Sequence, residues 1–292
     1  MQEQRTHTSK PQVVGPIGRC IYGEGHCRNH LSSEHVIPLG LGGGVILLDA
    51  SCSDCRKITG GFESACLKSN FGMVRAHGGM PTRRPKDRPT QGKLFIIENG
   101  QERVKNVPLD EHPNVLAMPE FSVPPAHLTG STRPPLIRMK MHSEQHEVHR
   151  LAQLQSDQAV MVGGSFNVDA FVRLLAKIAH GMMWISFDTE RVRPLLLPII
   201  LAGETGDAWR LIGMGELPMI PFSPAYGRGV HQVICDVAST QEKGNFIIVK
   251  MRLFAEWGAP AYTVIAGEAD HVPPMRPPTP PHVRRPRAQR AH

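Results

Sequence analysis

Residues 34–43 read EHVIPLGLGG, and CSDC follows at 52–55. Two short apolar runs, Val36-Ile37 and Val45–Leu48, flank the glycines Gly40 and Gly42–Gly44. Apolar runs on either side of a glycine cluster predict a strand, a tight turn and a returning strand. The GLGGG phrase does not read as a phosphate loop, because no Lys-Ser/Thr follows it and no βαβ unit surrounds it. A helix is expected from about Cys52, which completes a strand-turn-strand-helix unit. Such a unit is too small to hold together by apolar burial alone, so a structural metal is expected to supply what its core lacks.

The cysteines point to that metal. The chain has six, and four of them, Cys20, Cys27, Cys52 and Cys55, fall close together around the EHVIP phrase. Cys52-Ser-Asp-Cys55 is a C-x2-C knuckle, whose spacing lets two thiolates share one zinc at a turn entering a helix. Cys20 and Cys27, in CIYGEGHC, complete a four-coordinate site in this reading, with His26 or His30 as substitutes for Cys27. The competing reading is four buried thiols without a metal. Cys66, four residues after Phe62 on the apolar face of the expected helix, and Cys235 read as ordinary buried thiols.

Taken together, C-I-Y, S-S-E-H-V-I-P-L-G-L-G-G, A-S-C-S-D-C, I-T-G-G-F-E and P-T-R-R-P-K-D-R-P resemble the zinc-bearing bacterial branch of the HNH endonucleases, which carry a ββα-metal module. FVRLLAKIAHG and RLFAEWGAPAYTVIAG are similar to that branch's C-terminal region. The resemblance implies a fold, α+β, with a small zinc-stapled ββα-metal module followed by an α+β domain. It implies that His35 is the general base that activates water, a role suited to an imidazole whose pKa lies near working pH. It implies that Glu34 is a ligand of a catalytic Mg2+ or Mn2+, an ion that prefers carboxylate oxygen. Thr59 and Glu63 lie one and two turns into the helix after the knuckle, and of these two Glu63 is the expected further ligand. Consecutive strand residues face opposite ways, so Glu34 and His35 can share a site only if a bulge or loop redirects one of them.

The chain departs from the family's pattern at three places. Gly23 stands where a second cysteine of the first knuckle is usual, Asp49 is the nearest polar residue to the missing central Asn, and Arg56 occupies the position of the last metal ligand. A guanidinium cannot ligate a metal.

The chain of 292 residues carries a formal charge of +7 and a pI near 9.3, which makes polyanions plausible partners. Residues 1–90 hold twelve Lys and Arg against seven Asp and Glu, and residues 271–292 hold five Arg and no acid. The basic charge thus belongs to the two ends. The proline-rich connector PTRRPKDRP places Arg83, Arg84, Lys86 and Arg88 along an extended chain, and these four are the expected phosphate contacts. As a plain alternative the connector is a solvated linker.

Elsewhere the pattern predicts a hairpin of strands 93–97 and 103–107, a helix over 168–185 started by Asn167 or Asp169, and strands at VHQVICDVA, NFIIVKMRLFA and AYTVIA that form an antiparallel sheet. Four regions follow: a flexible arm over 1–15, the HNH-like module with its connector over 16–90, an α+β domain over 91–268, and a disordered Pro/Arg-rich tail over 269–292. The longest apolar run, Leu195–Ala202, is too short to span a bilayer and contains Pro198. The polar start lacks an apolar signal core, and a cytoplasmic address is expected.

The expected activity is metal-dependent hydrolysis of nucleic-acid phosphodiesters, with DNA as substrate, structural zinc and catalytic Mg2+ or Mn2+. The alternative is a noncatalytic zinc-containing nucleic-acid-binding module with a degenerate HNH site, in which His35 only braces the hairpin and Glu34 is solvated or paired with Arg56 or Lys57. In a third reading the central domain acts and the N-terminal module recruits it.

Overall fold

Val168–Ser186 form a helix of nineteen residues that is apolar on almost every side. A helix of that composition must be surrounded by protein, and here it is the hub of the molecule. Asn167 starts it: its Oδ1 accepts the Ala170 N–H at 2.9 Å. The computed structural model describes residues 11–23, 30–98, 101–143, 159–162, 166–219, 231–240 and 244–276.

Ahead of the hub lie β1 (Gln12–Val14), β2 (Ser32–His35), β3 (Val45–Ser51), α1 (Ser53–Ala65) and α2 (Gly72–His77), with one wider turn, Cys66–Asn70, between the two helices. β2 and β3 are antiparallel, and β1 adds to the other edge of β3 in parallel. The expected strand-turn-strand-helix order is present. Its first strand, however, ends at His35, so Val36-Ile37 belong to the turn. The arm expected over 1–15 is likewise an ordered strand over Gln12–Val14, paired to Val45–Leu47.

The Gly-rich phrase is a turn. The N–H groups of Leu41, Gly42 and Gly43 donate to Pro38 and Leu39 carbonyls, so they are spent within the turn and cannot cradle a phosphate. Glycine is required twice: Gly42 has φ +85°, and a Cβ on Gly43 would lie 1.9 Å from the Ile37 carbonyl oxygen. Arg75 of α2 fixes the surroundings, donating to the carbonyls of Gly40, Leu67 and Pro81 at 2.7, 2.9 and 3.2 Å.

Next come β4 (Gln91–Glu98) and β5 (Gln101–Pro108), the expected hairpin, with β8 (Ala159–Val162) on the free edge of β4. β6 (Val115–Phe121) pairs with β7 (Ile137–Ser143), and the short helix α3 (Ala126–Thr129) lies between them. The long helix is α4. After it, β9 (Val192–Pro194), β10 (Ile212–Met214), β11 (Gln232–Thr240), β12 (Gly244–Arg252) and β13 (Tyr262–Ala269) build an antiparallel sheet in the order β10-β13-β12-β11, with β9 on β13. The sheet expected from the three C-terminal apolar runs is therefore present.

The fold is mixed α+β with antiparallel sheets. One continuous apolar core runs from Leu47, Phe62 and Cys66 through Phe171 and Leu174 to Val249 and Tyr262, so packing crosses residue 90 without a break. Asn70 and Asn167 exchange two hydrogen bonds, at 2.8 and 3.0 Å, that tie the end of the first unit to the start of α4. The first residues of the tail are ordered too: Met275 bridges Phe187, and Arg276 N–H donates to the Ser186 carbonyl at 2.8 Å. Residues 277–292 lie outside the described residues, as do 1–10. No helix among the described residues is long and apolar enough to cross a membrane.

Candidate metal centre and buried charge site

Cys20, Cys52 and Cys55 meet. All three are buried, and their sulfurs lie within 4.8 Å of one another. The turn into α1 does this. The Cys52 sulfur accepts the Cys55 N–H at 3.4 Å as the helix cap, and the Cys20 sulfur accepts the Cys52 N–H at the same distance. Burial, then the neighbouring Cys52 and Cys20, push the Cys55 thiol far up. Three crowded sulfurs deprived of water are poor thiolates alone and good ones around a divalent cation, so the donor set fits a zinc ion. Cys27 and His26 lie outside the described residues. His30 is exposed and does not join the thiols. Cys66 is fully buried with its thiol pushed up to about 12, as an inert core cysteine should be; Cys235 is only half-buried.

The second cluster forms around the end of β2. Ser32 pairs with Ser51 but Glu34 pairs with Leu47, so β3 carries extra residues opposite this point. Asp49 sits in that bulge with φ +49°, a conformation Asp tolerates better than most side chains. A bulge thus lies beside Glu34, but it is on β3: Glu34 and His35 themselves pair in regular register with Leu47 and Ile46 and are not redirected by it. Glu34 is buried against α4 and His35 is half-buried.

Glu63, from the last turn of α1, points to the same place as Glu34, and the two carboxylates converge on the ammonium of Lys177. Lys177 Nζ lies 2.7 Å from Glu34 Oε1 and 2.9 Å from Glu63 Oε1. It also donates to the backbone carbonyls of His35 and of Val36, the latter at 3.2 Å. Its side chain is 1 % exposed. Burial alone would lower the Lys177 pKa; Glu34 and Glu63 more than offset this, and the net shift is upward. Tyr22 closes the site from the Cys20 loop, its phenol held protonated by burial and by the Glu34 charge.

The helix α4 thus grips both halves of the N-terminal unit. Lys177 holds the His35 strand, and three residues on, the His180 ring nitrogen Nε2 meets the Ile21 carbonyl at 2.6 Å while the ring stacks on Tyr22. Residues three apart share a helix face. In the sequence Lys177 reads only as helix filler. A signal exists for it: a helix apolar all round is buried, and a buried lysine must be paired.

His35 itself has its pKa lowered, first by burial and then by the Lys177 charge, with Glu34 and Glu63 acting against the shift and Arg83 adding to it. It is accordingly neutral at pH 7, the form a base requires. Its Nδ1 is buried without a hydrogen-bond partner among the described residues.

The basic connector divides. Arg83, Arg84 and Lys86 are exposed, Arg84 with only a loose 3.8 Å pairing to Asp87. Arg88 is half-buried and donates to the Met80 carbonyl at 2.6 Å, which is a structural use. Arg56 is exposed and does not enter the cluster. The partner of Glu34 is Lys177, not Arg56 or Lys57.

A hard divalent cation fits this cluster poorly as it stands. Set between Glu34 and Glu63 it would lie about 3 Å from an ammonium, a repulsion of about 10 kcal/mol at an effective dielectric constant of about 20. No family model, curated protein or solved structure matches the chain.

Proposed function

We propose that the chain is a nuclease that hydrolyses nucleic-acid phosphodiester bonds, with DNA as its substrate and His35 as the base that takes a proton from the attacking water. The observation that carries the reading is His35 Nδ1: a buried ring nitrogen, neutral at pH 7, for which the described residues supply no partner. It is one of several buried polar atoms without a partner among the described residues, and each is a place where a water or a ligand group can complete the bonding. Glu34 and Glu63 hold the strand end through Lys177, and the Arg83 charge reaches the imidazole from the connector. A phosphate entering along Arg83, Arg84 and Lys86 would bring its scissile bond toward His35. Zinc on Cys20, Cys52 and Cys55, with Cys27 proposed as the fourth ligand, fixes the Cys20 loop and the start of α1.

Magnesium or manganese, implied by the HNH resemblance at Glu34 and Glu63, does not fit between those carboxylates while Lys177 is there, and no step is assigned to it. The same lysine favours a second reading, in which the module binds nucleic acid and has lost the chemistry. Supercoiled plasmid incubated with the zinc-loaded chain, in buffers with Mg2+, with Mn2+ and with neither, decides between them. Nicked circles support hydrolysis. Binding that weakens steeply with salt and produces no nicked circles supports the binding module.

A further inference from the structure

Four oxygens surround the Lys177 nitrogen: Glu34 Oε1, Glu63 Oε1 and the carbonyls of His35 and Val36. Two carboxylates and two carbonyls make the donor set that a hard divalent ion selects. An ammonium has three protons for four acceptors, so the arrangement offers more oxygen than lysine alone can use. The ammonium is enclosed: the Lys177 side chain is 1 % exposed, and Leu174, Ala176 and Ile178 of the same helix are fully buried.

We propose that Lys177 is the resident cation of this site: its ammonium occupies the point where Glu34 and Glu63 would otherwise hold a divalent metal, and the intact chain takes no Mg2+ or Mn2+ at these two carboxylates. Lys177 also sets the path of the backbone at His35 through that residue's carbonyl, which makes it a positioning residue for the imidazole. The inference builds on the assignment of Glu34 and His35 as the functional site, but its test reads cation binding and not cleavage.

Mn2+ is the probe, followed by electron paramagnetic resonance with the full-length, zinc-loaded chain. In the wild type, any Mn2+ binding is unchanged by Glu34→Gln or Glu63→Gln. Lys177→Ala opens the oxygen cage and gains a site roughly tenfold or more tighter than any in the wild type, and Lys177→Ala/Glu34→Gln loses it. Wild-type Mn2+ binding that weakens in Glu34→Gln or Glu63→Gln overturns the proposal, as does a folded Lys177→Ala chain that gains no Glu34-dependent site. If Lys177→Ala does not fold, as judged by circular dichroism and zinc content, the wild type against Glu34→Gln and Glu63→Gln decides alone: unchanged binding supports the proposal and weakened binding overturns it. A chain that shows this Mn2+ pattern but cleaves nothing keeps the inference and loses the hydrolase reading. A chain that cleaves and binds Mn2+ through Glu34 does the reverse.

Discussion

Lys177 Nζ stands 2.7 Å from Glu34 Oε1, and the same nitrogen donates to the His35 carbonyl, 142 residues away in sequence. Through this pairing the C-terminal half of the chain holds the strand that carries the proposed base.

Breaking the pairing from one side leaves buried charge without compensation. Lys177→Met keeps the length of the stem and removes the ammonium, and the expected cost is about 3–5 kcal/mol, the range found when one partner of a buried ion pair is deleted. Adding Glu34→Gln and Glu63→Gln removes the stranded charges and should recover part of the loss. Urea unfolding of the three chains measures both effects. A Lys177→Met chain as stable as the wild type would show that the cluster contributes nothing to the fold.

Zinc should bind at one ion per chain and depend on each of Cys20, Cys52 and Cys55, whose sulfurs already lie within 4.8 Å of one another. Serine at any of the three is expected to lower zinc content and melting temperature together. Cys27→Ser should do the same if Cys27 closes the tetrahedron. Metal analysis alongside thermal unfolding reads this, and full zinc retention by Cys27→Ser would move the fourth ligand elsewhere.

Acid should destabilise the protein in a defined window. His180 is fully buried and His231 is partly buried, and removal from water lowers each pKa from 6.5 to about 4. His231 shows why it must stay neutral: its Nε2 donates to the Leu41 carbonyl at 2.7 Å while Nδ1 accepts the Phe254 N–H at 3.2 Å, so a second ring proton would break the latter bond. A lowered folded pKa means that the unfolded chain binds more protons between the two values. The stabilisation is therefore complete above pH 6.5 and is lost as pH falls toward 4. His231→Gln should reduce the slope of stability against pH in that window by roughly one proton, or ~1.4 kcal/mol per pH unit. An unchanged slope would contradict the assignment.

The exposed and buried parts of the connector should behave differently. Replacing Arg83, Arg84 and Lys86 by alanine is expected to flatten the salt dependence of DNA binding by roughly one unit of slope for each phosphate that is no longer neutralised. Arg88→Ala should leave that slope alone, because its guanidinium serves the Met80 carbonyl. Fluorescence anisotropy across a salt series separates the two.

Local chemistry is legible in the sequence and long-range pairing is not. The α4 helix announces itself by its apolar period and by Asn167, the GLGGG turn by its glycines, and the C-terminal sheet by three strand-length apolar runs between turns. The C-x2-C spacing points to Cys52 and Cys55, and Cys20 joins them as expected. Glu63 and Glu34 do converge, but the cation between them comes from a helix whose approach no local pattern encodes. Spacing along a chain says which residues share a strand or a turn, whereas the partner of Glu34 is decided by how α4 packs across α1. Gln12–Val14 is hidden for a related reason: three residues are too few to show a period, and their strand exists only because β3 offers an edge.

The most direct measurement compares plasmid nicking by the wild type and by His35→Ala under single-turnover conditions, with zinc content determined on the same samples. Both chains should carry the same zinc, and cleavage should fall by roughly 10²-fold or more in the variant, the loss expected for a general base. Equal cleavage by the two chains would contradict this role of His35.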